Sequence, residues 1–167
     1  MLMGTLHSRD ITNGGDDTAL IRGSSSGSIW TGIIGAPVKT PISSYATNPT
    51  GFTVLNEGSY SGEVSSIIQN NSVGCVWVSG YAGLTGQRYE CNLVWAHSSG
   101  IGNQEGDSGG PMVRYVSGQL DVVGIVSLGA SPTPCSFNVT KCLHDVYYTA
   151  MNEILQTEYP GSTLVNG

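Results

Sequence analysis

The stretch GDSGGP at 106–111 sets a serine between an aspartate and two glycines. A serine hydroxyl attacks a carbonyl only when a base takes its proton and N–H donors receive the charge that develops on the carbonyl oxygen. The local sequence supplies part of this. Glycines on both sides permit a tight turn, so the backbone N–H groups of Gly106 and Ser108 can point to one spot. Gly109 and Gly110 leave room for a substrate, and the apolar run MVRYV follows. A flexible turn that happens to hold a serine is the alternative. A six-residue motif leading into a strand is far more specific than a lone Gly-Ser pair, so Ser108 is the candidate nucleophile and acyl transfer the candidate chemistry.

The rest of the chain must position that serine. Short apolar or β-branched runs between Gly, Ser, Asn and Pro read as strands and turns. ALIR (19–22) follows a turn at NGGDD, and 51–68 reads as a hairpin with Gly58 to Gly62 at its tip. Two more strands are expected at 75–83 and 88–96, and a hairpin joins 111–116 to 120–128 through Ser117-Gly118. Residues 30–50, rich in Pro and Gly, read as loop. One helix is expected near the end: Val146, Ala150, Met151, Ile154 and Leu155 share a face, Asp145 can cap it and Pro160-Gly161 stops it. The fold class is therefore all-β with one C-terminal helix, without repeats or linkers.

A chain of 167 residues fits one domain or two small subdomains. Net charge is −6 and the six basic residues are scattered, which argues against nucleic acid as a partner. No apolar run approaches the roughly 18–20 residues that cross a bilayer, so no membrane partner is expected. Few charges with abundant Gly, Ser, Thr and Tyr is a balance met in secreted β-proteins. Four cysteines agree, as Cys75/Cys91 and Cys135/Cys142 sit at loop-closing distances; reduced core thiols or metal ligands are the alternatives, but these are not zinc spacings. MLMGTLHSRD lacks the basic and apolar regions of a signal peptide, so such a segment either was removed or the natural protein begins elsewhere.

GDSGGP resembles the nucleophile motif of chymotrypsin-like serine proteases, and other segments follow that family in order. DDTALIR (16–22) resembles the segment carrying the triad aspartate, here assigned to Asp17. VGIVSLGA (123–130) resembles the strand whose Ser127-Leu128-Gly129 binds substrate backbone like an added β-strand. The lead-in GTLHSRDITNGGDD, the G-x-x-S-G hairpin at 58–62, the spacing onward to Ser108 and a cysteine loop after Ser127 are similar to the bacterial streptogrisin-like branch.

The resemblance implies a double antiparallel β-barrel with the first barrel incomplete: 1–45 as its remnant carrying Asp17, and 46–167 as the second barrel with Ser108 and the terminal helix. It implies an acyl-enzyme mechanism on a protein or peptide substrate, with Gly106 and Ser108 as oxyanion donors and no metal or organic cofactor. A secreted monomer is expected. Asp107 would hold the oxyanion loop through a cation. The family's arginine position falls in a hairpin that here carries Asn56 and Glu57, which leaves Arg114 or Arg88. Gln104 stands where many members have a cysteine, so Cys142 becomes the natural partner of Cys135. The primary pocket would have its base at Gly102 and Asn103, with Glu105 also facing substrate and walls at Ser127–Gly129 and Lys141–His144. No acid lies at the base, so an apolar or aromatic side chain is expected, with Lys141 and His144 raising an acidic one as the minority alternative. The family's histidine motif has no counterpart: His7 reads as a strand residue, and His97 and His144 do not match the base. The chain thus reads as a serine endopeptidase fragment without its general base, inactive alone. An inactive homologue acting as a secreted binding protein is the alternative, and a disulfide-stapled β-module for carbohydrate or protein the remote one.

Overall fold

The computed structural model describes residues 26–79, 86–135 and 141–164 in full, with the backbone of two further strands, β1 (Thr5–Asp10) and β2 (Thr18–Arg22). Asp17 and the NGGDD turn lie outside the described residues. β1 and β2 pair antiparallel, so ALIR is a strand as expected.

Residues 30–50 are not a plain loop. They hold β3 (Ser28–Thr31) and β4 (Val38–Pro41), an antiparallel hairpin, and β5 (Ser44–Tyr45). Prolines lie between or at the ends of these strands, where no ladder N–H is needed, so Pro content did not exclude them. β6 (Thr53–Gly58) and β7 (Gly62–Asn70) form the expected hairpin. β8 (Cys75–Ser79) pairs with β9 (Gln87–Cys91), and Asn92 at φ 59° breaks the run before β10 (Leu93–His97). β11 (Asn103–Gln104), β12 (Pro111–Val116), β13 (Gln119–Thr133) and β14 (Cys142–Ala150) complete the set.

The ladder β14-β10-β7-β6-β12-β13 returns to β14, because β13 pairs with β14 from Gly124–Ala150 to Thr133–Cys142. This closes a six-stranded antiparallel barrel and removes its sheet edges. Alternation divides the apolar side chains between two faces. Met112, Val123, Val126, Val146 and Tyr148 fill the barrel, while their neighbours Val113 and Val122 pack outside with Leu120, Met151 and Ile154. The buried Tyr148 hydroxyl donates to Asn48 Oδ1 at 2.7 Å, which satisfies the one polar atom that phenol brings inside.

The terminal helix is shorter than its pattern suggested. Cys142–Ala150 is strand, and only Met151–Glu153 is α-helical before one π-helical turn, Ile154–Glu158. Val146 and Ala150 belong to the barrel strand, and Asp145 does not cap; the N-cap position is Ala150, without a side-chain bond. A run that reads as amphipathic helix is overridden by pairing on both sides, with β10 and β13. The cysteines pair as Cys75–Cys91, directly opposite in β8–β9, and Cys135–Cys142, which ties the end of β13 to the start of β14. No described cysteine is free.

Candidate active site

Two consecutive turns present Ser108. Asp107 N donates to the Gln104 carbonyl at 3.0 Å and Gly110 N to the Asp107 carbonyl at 2.8 Å. Each turn has a positive φ at its third residue, 104° at Gly106 and 83° at Gly109, which is the conformation that favours glycine in a type II turn. β13 anchors the second turn through Gly109 N to Val126 O (2.8 Å) and Val126 N to Gly110 O (2.9 Å). The amides of Gly106 and Ser108 donate to no group among the described residues. The exposed Ser108 hydroxyl donates to the Ser127 carbonyl at 3.1 Å rather than to an imidazole.

Asp107 is only 1% exposed, yet its carboxylate is fully served. Oδ1 accepts from Tyr60 N (2.9 Å) and Ser61 N (3.1 Å), and Oδ2 from Gln104 N (2.8 Å) and Asn56 Nδ2 (3.3 Å). Among the described residues no cation reaches it, and Arg114 lies 5.0 Å over the Phe52 ring. Four N–H groups deliver to one carboxylate what a guanidinium would, because charge-assisted bonds are about twice as strong as neutral ones. The hairpin tip can wrap so closely only because Gly58 has no side chain; a Cβ there would fall on the Asp107 carboxylate. The short GSYSG tip was the available signal, since a tight turn leaves amides unpaired.

The expected pocket residues do converge. Gly102 is buried beside the His144 carbonyl and Ser66 Oγ, and Asn103 Oδ1 accepts from Asn56 Nδ2 at 3.4 Å. A Cβ on Gly129 would stand 2.5 Å from both Asn103 Nδ2 and Leu143 Cδ1. The space beside Gly129 is thus filled by those two side chains. Strand alternation puts Leu143 on this side and turns His144 away, where its Nδ1 meets the carbonyls of Gly100 (2.6 Å) and Ser98 (3.1 Å). His144 does not join the wall, and Lys141 is exposed. Glu105 is exposed and its amide donates to the Lys141 carbonyl at 3.0 Å. Leu128 is half-buried, and the buried Ser127 hydroxyl donates to Glu90 Oε2 at 2.6 Å. The sequence reading missed Glu90, whose one cue was a charge at an inward strand position.

A second polar cluster lies on β10–β14. His97 Nδ1 is 2.8 Å from Asp145 Oδ1, which also accepts from Trp95 Nε1 at 2.9 Å, while Ser131 Oγ donates to Oδ2. Burial pushes the Asp145 carboxyl up, but these hydrogen bonds from Ser131, Trp95 and His97 outweigh it and hold it below its ordinary value. The His97 and His144 rings are 5.7 Å apart. Neither reaches Ser108 Oγ, and the His7 side chain lies outside the described residues. Among the described residues no group of three His, Cys, Asp or Glu side chains could hold a metal ion.

Glu57 faces the opposite way from Asn56. Its Oε2 accepts from Gly32 N at 3.1 Å, while Oε1 is buried without a partner. Burial pushes this carboxyl up to about 7, the Gly32 bond opposes that, and Glu63, directly across the hairpin, adds to it.

No family model matches the sequence, and no curated protein matches it. Solved structures do. The chain is similar to a chymotrypsin from Cellulomonas bogoriensis at TM-score 0.66 and 20% identity, covering 98% of this chain and 76% of that one. It is similar to a Nocardiopsis protease at TM-score 0.61 and 23% identity, over 89% and 68%. A third neighbour is a glutamic-acid-specific serine protease that uses a histidine triad in substrate binding, at TM-score 0.62 and 19% identity, over 98% and 74%. The fold is that of the bacterial chymotrypsin-like serine proteases, mostly β with a short C-terminal helix.

Proposed function

We propose that the chain carries the nucleophile half of a serine endopeptidase. Ser108 attacks a peptide carbonyl, the amides of Gly106 and Ser108 hold the oxyanion, and Asp17 orients a histidine contributed from outside this sequence. The observation that carries this reading is the pair of amides at Gly106 and Ser108, left without acceptors in a loop where the amides of Glu105, Asp107, Gly109 and Gly110 are all bonded. Ser127, Leu128 and Gly129 would pair with substrate backbone, with Asp107 keeping the oxyanion loop in shape. Residues 1–45 are then a remnant of the first barrel and 46–167 the second. The two disulfides support a secreted protein, and the mode of action is that of a monomer on protein or peptide chains. An inactive homologue that binds polypeptides in the same place is the second reading, supported by the Ser108 hydroxyl bonding a carbonyl.

Fluorophosphonate labelling separates the two. The 167-residue chain should label weakly or not at all, and a version extended upstream to a histidine-bearing strand should label at Ser108 and lose the label on Ser108→Ala. An extended protein with an intact histidine that stays unlabelled sinks the enzymatic reading. The filled space beside Gly129 further favours small side chains such as Ala or Gly at the primary subsite. On the extended enzyme, Leu143→Ala with Asn103→Gly should raise kcat/KM for a Phe or Leu substrate by tenfold or more relative to the Ala substrate, since opening room for a large apolar group is worth about 1–3 kcal/mol.

A further inference from the structure

Two imidazoles stand together where β10 meets β14 in the closed barrel. His97 ends β10 directly opposite Asp145 of β14, and His144 precedes Asp145. The Ser98 amide donates to the His144 carbonyl at 2.9 Å, so the two backbones are tied side by side. The ring centroids are 5.7 Å apart and the planes meet at 38°. The His97 side chain is 44% exposed and His144 is half-buried, so both residues meet solvent.

Hydrogen bonding fixes which nitrogen of each ring is free. His144 Nδ1 lies 2.6 Å from the Gly100 carbonyl and 3.1 Å from the Ser98 carbonyl. Carbonyl oxygens only accept, so neutral His144 carries its proton on Nδ1 and a lone pair on Nε2. Asp145 Oδ1, 2.8 Å from His97 Nδ1, sets the same tautomer there, because an ionised carboxylate also only accepts. Neither Nε2 has a partner among the described residues.

A ring held at Nδ1–H by a carboxylate or a carbonyl, with Nε2 bare, is the form in which histidine ligates a metal; the outer bond orients the ring and raises its basicity. Rings sharing one ion, each nitrogen at about 2.0–2.1 Å from it, have centroids about 5 Å apart. A small rotation about the side-chain torsions closes the difference from the 5.7 Å found. Asp145 is already occupied by Trp95, Ser131 and His97, so it acts from behind His97 and supplies negative charge there. No third His, Cys, Asp or Glu among the described residues completes the set, which leaves the remaining positions to water. Two imidazoles without a free carboxylate select zinc, copper or nickel over magnesium and calcium.

We propose that His97 and His144 form a two-histidine site for a divalent ion of the zinc–copper class, bound through both Nε2 atoms and completed by water. The site does not require Ser108 to react.

The probe is Zn²⁺ alone, titrated calorimetrically into the tag-free 167-residue chain at pH 7.5, with Cu²⁺ followed by EPR. One ion should bind per chain, and the Cu²⁺ spectrum should carry couplings from two imidazole nitrogens. His97→Gln and His144→Gln should each weaken Zn²⁺ binding at least tenfold. His7→Gln, which removes the third histidine of the chain, should change nothing. Asp145→Asn should weaken binding about tenfold or more by releasing the His97 ring. A large excess of Mg²⁺ should not compete. Absence of Zn²⁺ binding, binding that survives either His97→Gln or His144→Gln, or a Cu²⁺ spectrum with a single imidazole nitrogen overturns the proposal. The spectrum of the unaltered chain keeps the test decisive even if a variant fails to fold.

Discussion

The two faces of the β6–β7 hairpin treat neighbouring polar residues in opposite ways. On one face Asn56, with the tip amides of Tyr60 and Ser61, joins Gln104 in saturating Asp107. On the other, Glu57 accepts from Gly32 N through Oε2, faces Glu63 across the hairpin and leaves Oε1 buried without a donor. The same two strands thus build a rigid support and an unsatisfied site, and alternation along β6 is what separates them. A carboxylate with four N–H partners fixes its loop. A buried carboxyl across from a second acid is instead pushed up to about 7.

The largest way to break this contrast is Asp107→Ala. It strands four donors in a buried site and should cost about 3–5 kcal/mol in urea unfolding, with Ser108 labelling lost in the extended enzyme even where the protein still folds. A cost under 1 kcal/mol would mean that the carboxylate does not organise the loop.

Glu57→Gln should act in the other direction. The folded carboxyl titrates near 7, above its ordinary 4.5, so the folded state binds more protons and stability falls as pH rises from about 4.5 through 7. Removing the titration should flatten that slope and raise stability at pH 8 by about 1–2 kcal/mol. Denaturation curves at pH 5 and pH 8 read the difference directly, and an unchanged slope would contradict the assignment.

Asp145 sharpens the comparison from outside the hairpin, since it is well served by Ser131, Trp95 and His97. Its depressed value contributes stability that is present above the unfolded value of 3.8 and lost as pH falls through the folded one. Asp145→Asn should lower the thermal midpoint at pH 7, and by progressively less toward pH 3. Arg114→Met is the smallest test. It removes the stacking on Phe52, about 0.5–1 kcal/mol, and should leave the Ser108 loop untouched; a larger loss with altered labelling would revive a cation for Asp107.

Much of the site was legible because its signals are local. GDSGGP specifies two turns whose glycines sit at the positive-φ positions, and the following strand is read from its apolar alternation. Gly58 and Gly62 bracket the hairpin tip as expected, and both cysteine pairs formed as their spacing suggested. The misses are non-local. Residues 146–150 carry the start of a helical pattern, yet pairing with β10 and β13 makes them strand. The β3–β4 hairpin was hidden by its prolines. Glu90 and Glu57 acquire significance only from what packs over them.

By itself the sequence determined that Ser108 sits in a nucleophile-type turn within an all-β chain, because turn chemistry and strand alternation act over a few residues. Tertiary structure alone decided that Asp107 is held by amides rather than by an arginine, that Asn103 and Leu143 fill the space beside Gly129, and that the His97 and His144 rings stand 5.7 Å apart. Those contacts join residues 40 or more positions apart in most cases, and hydrogen-bond geometry, burial and charge repulsion are properties of closed space, which no local pattern encodes.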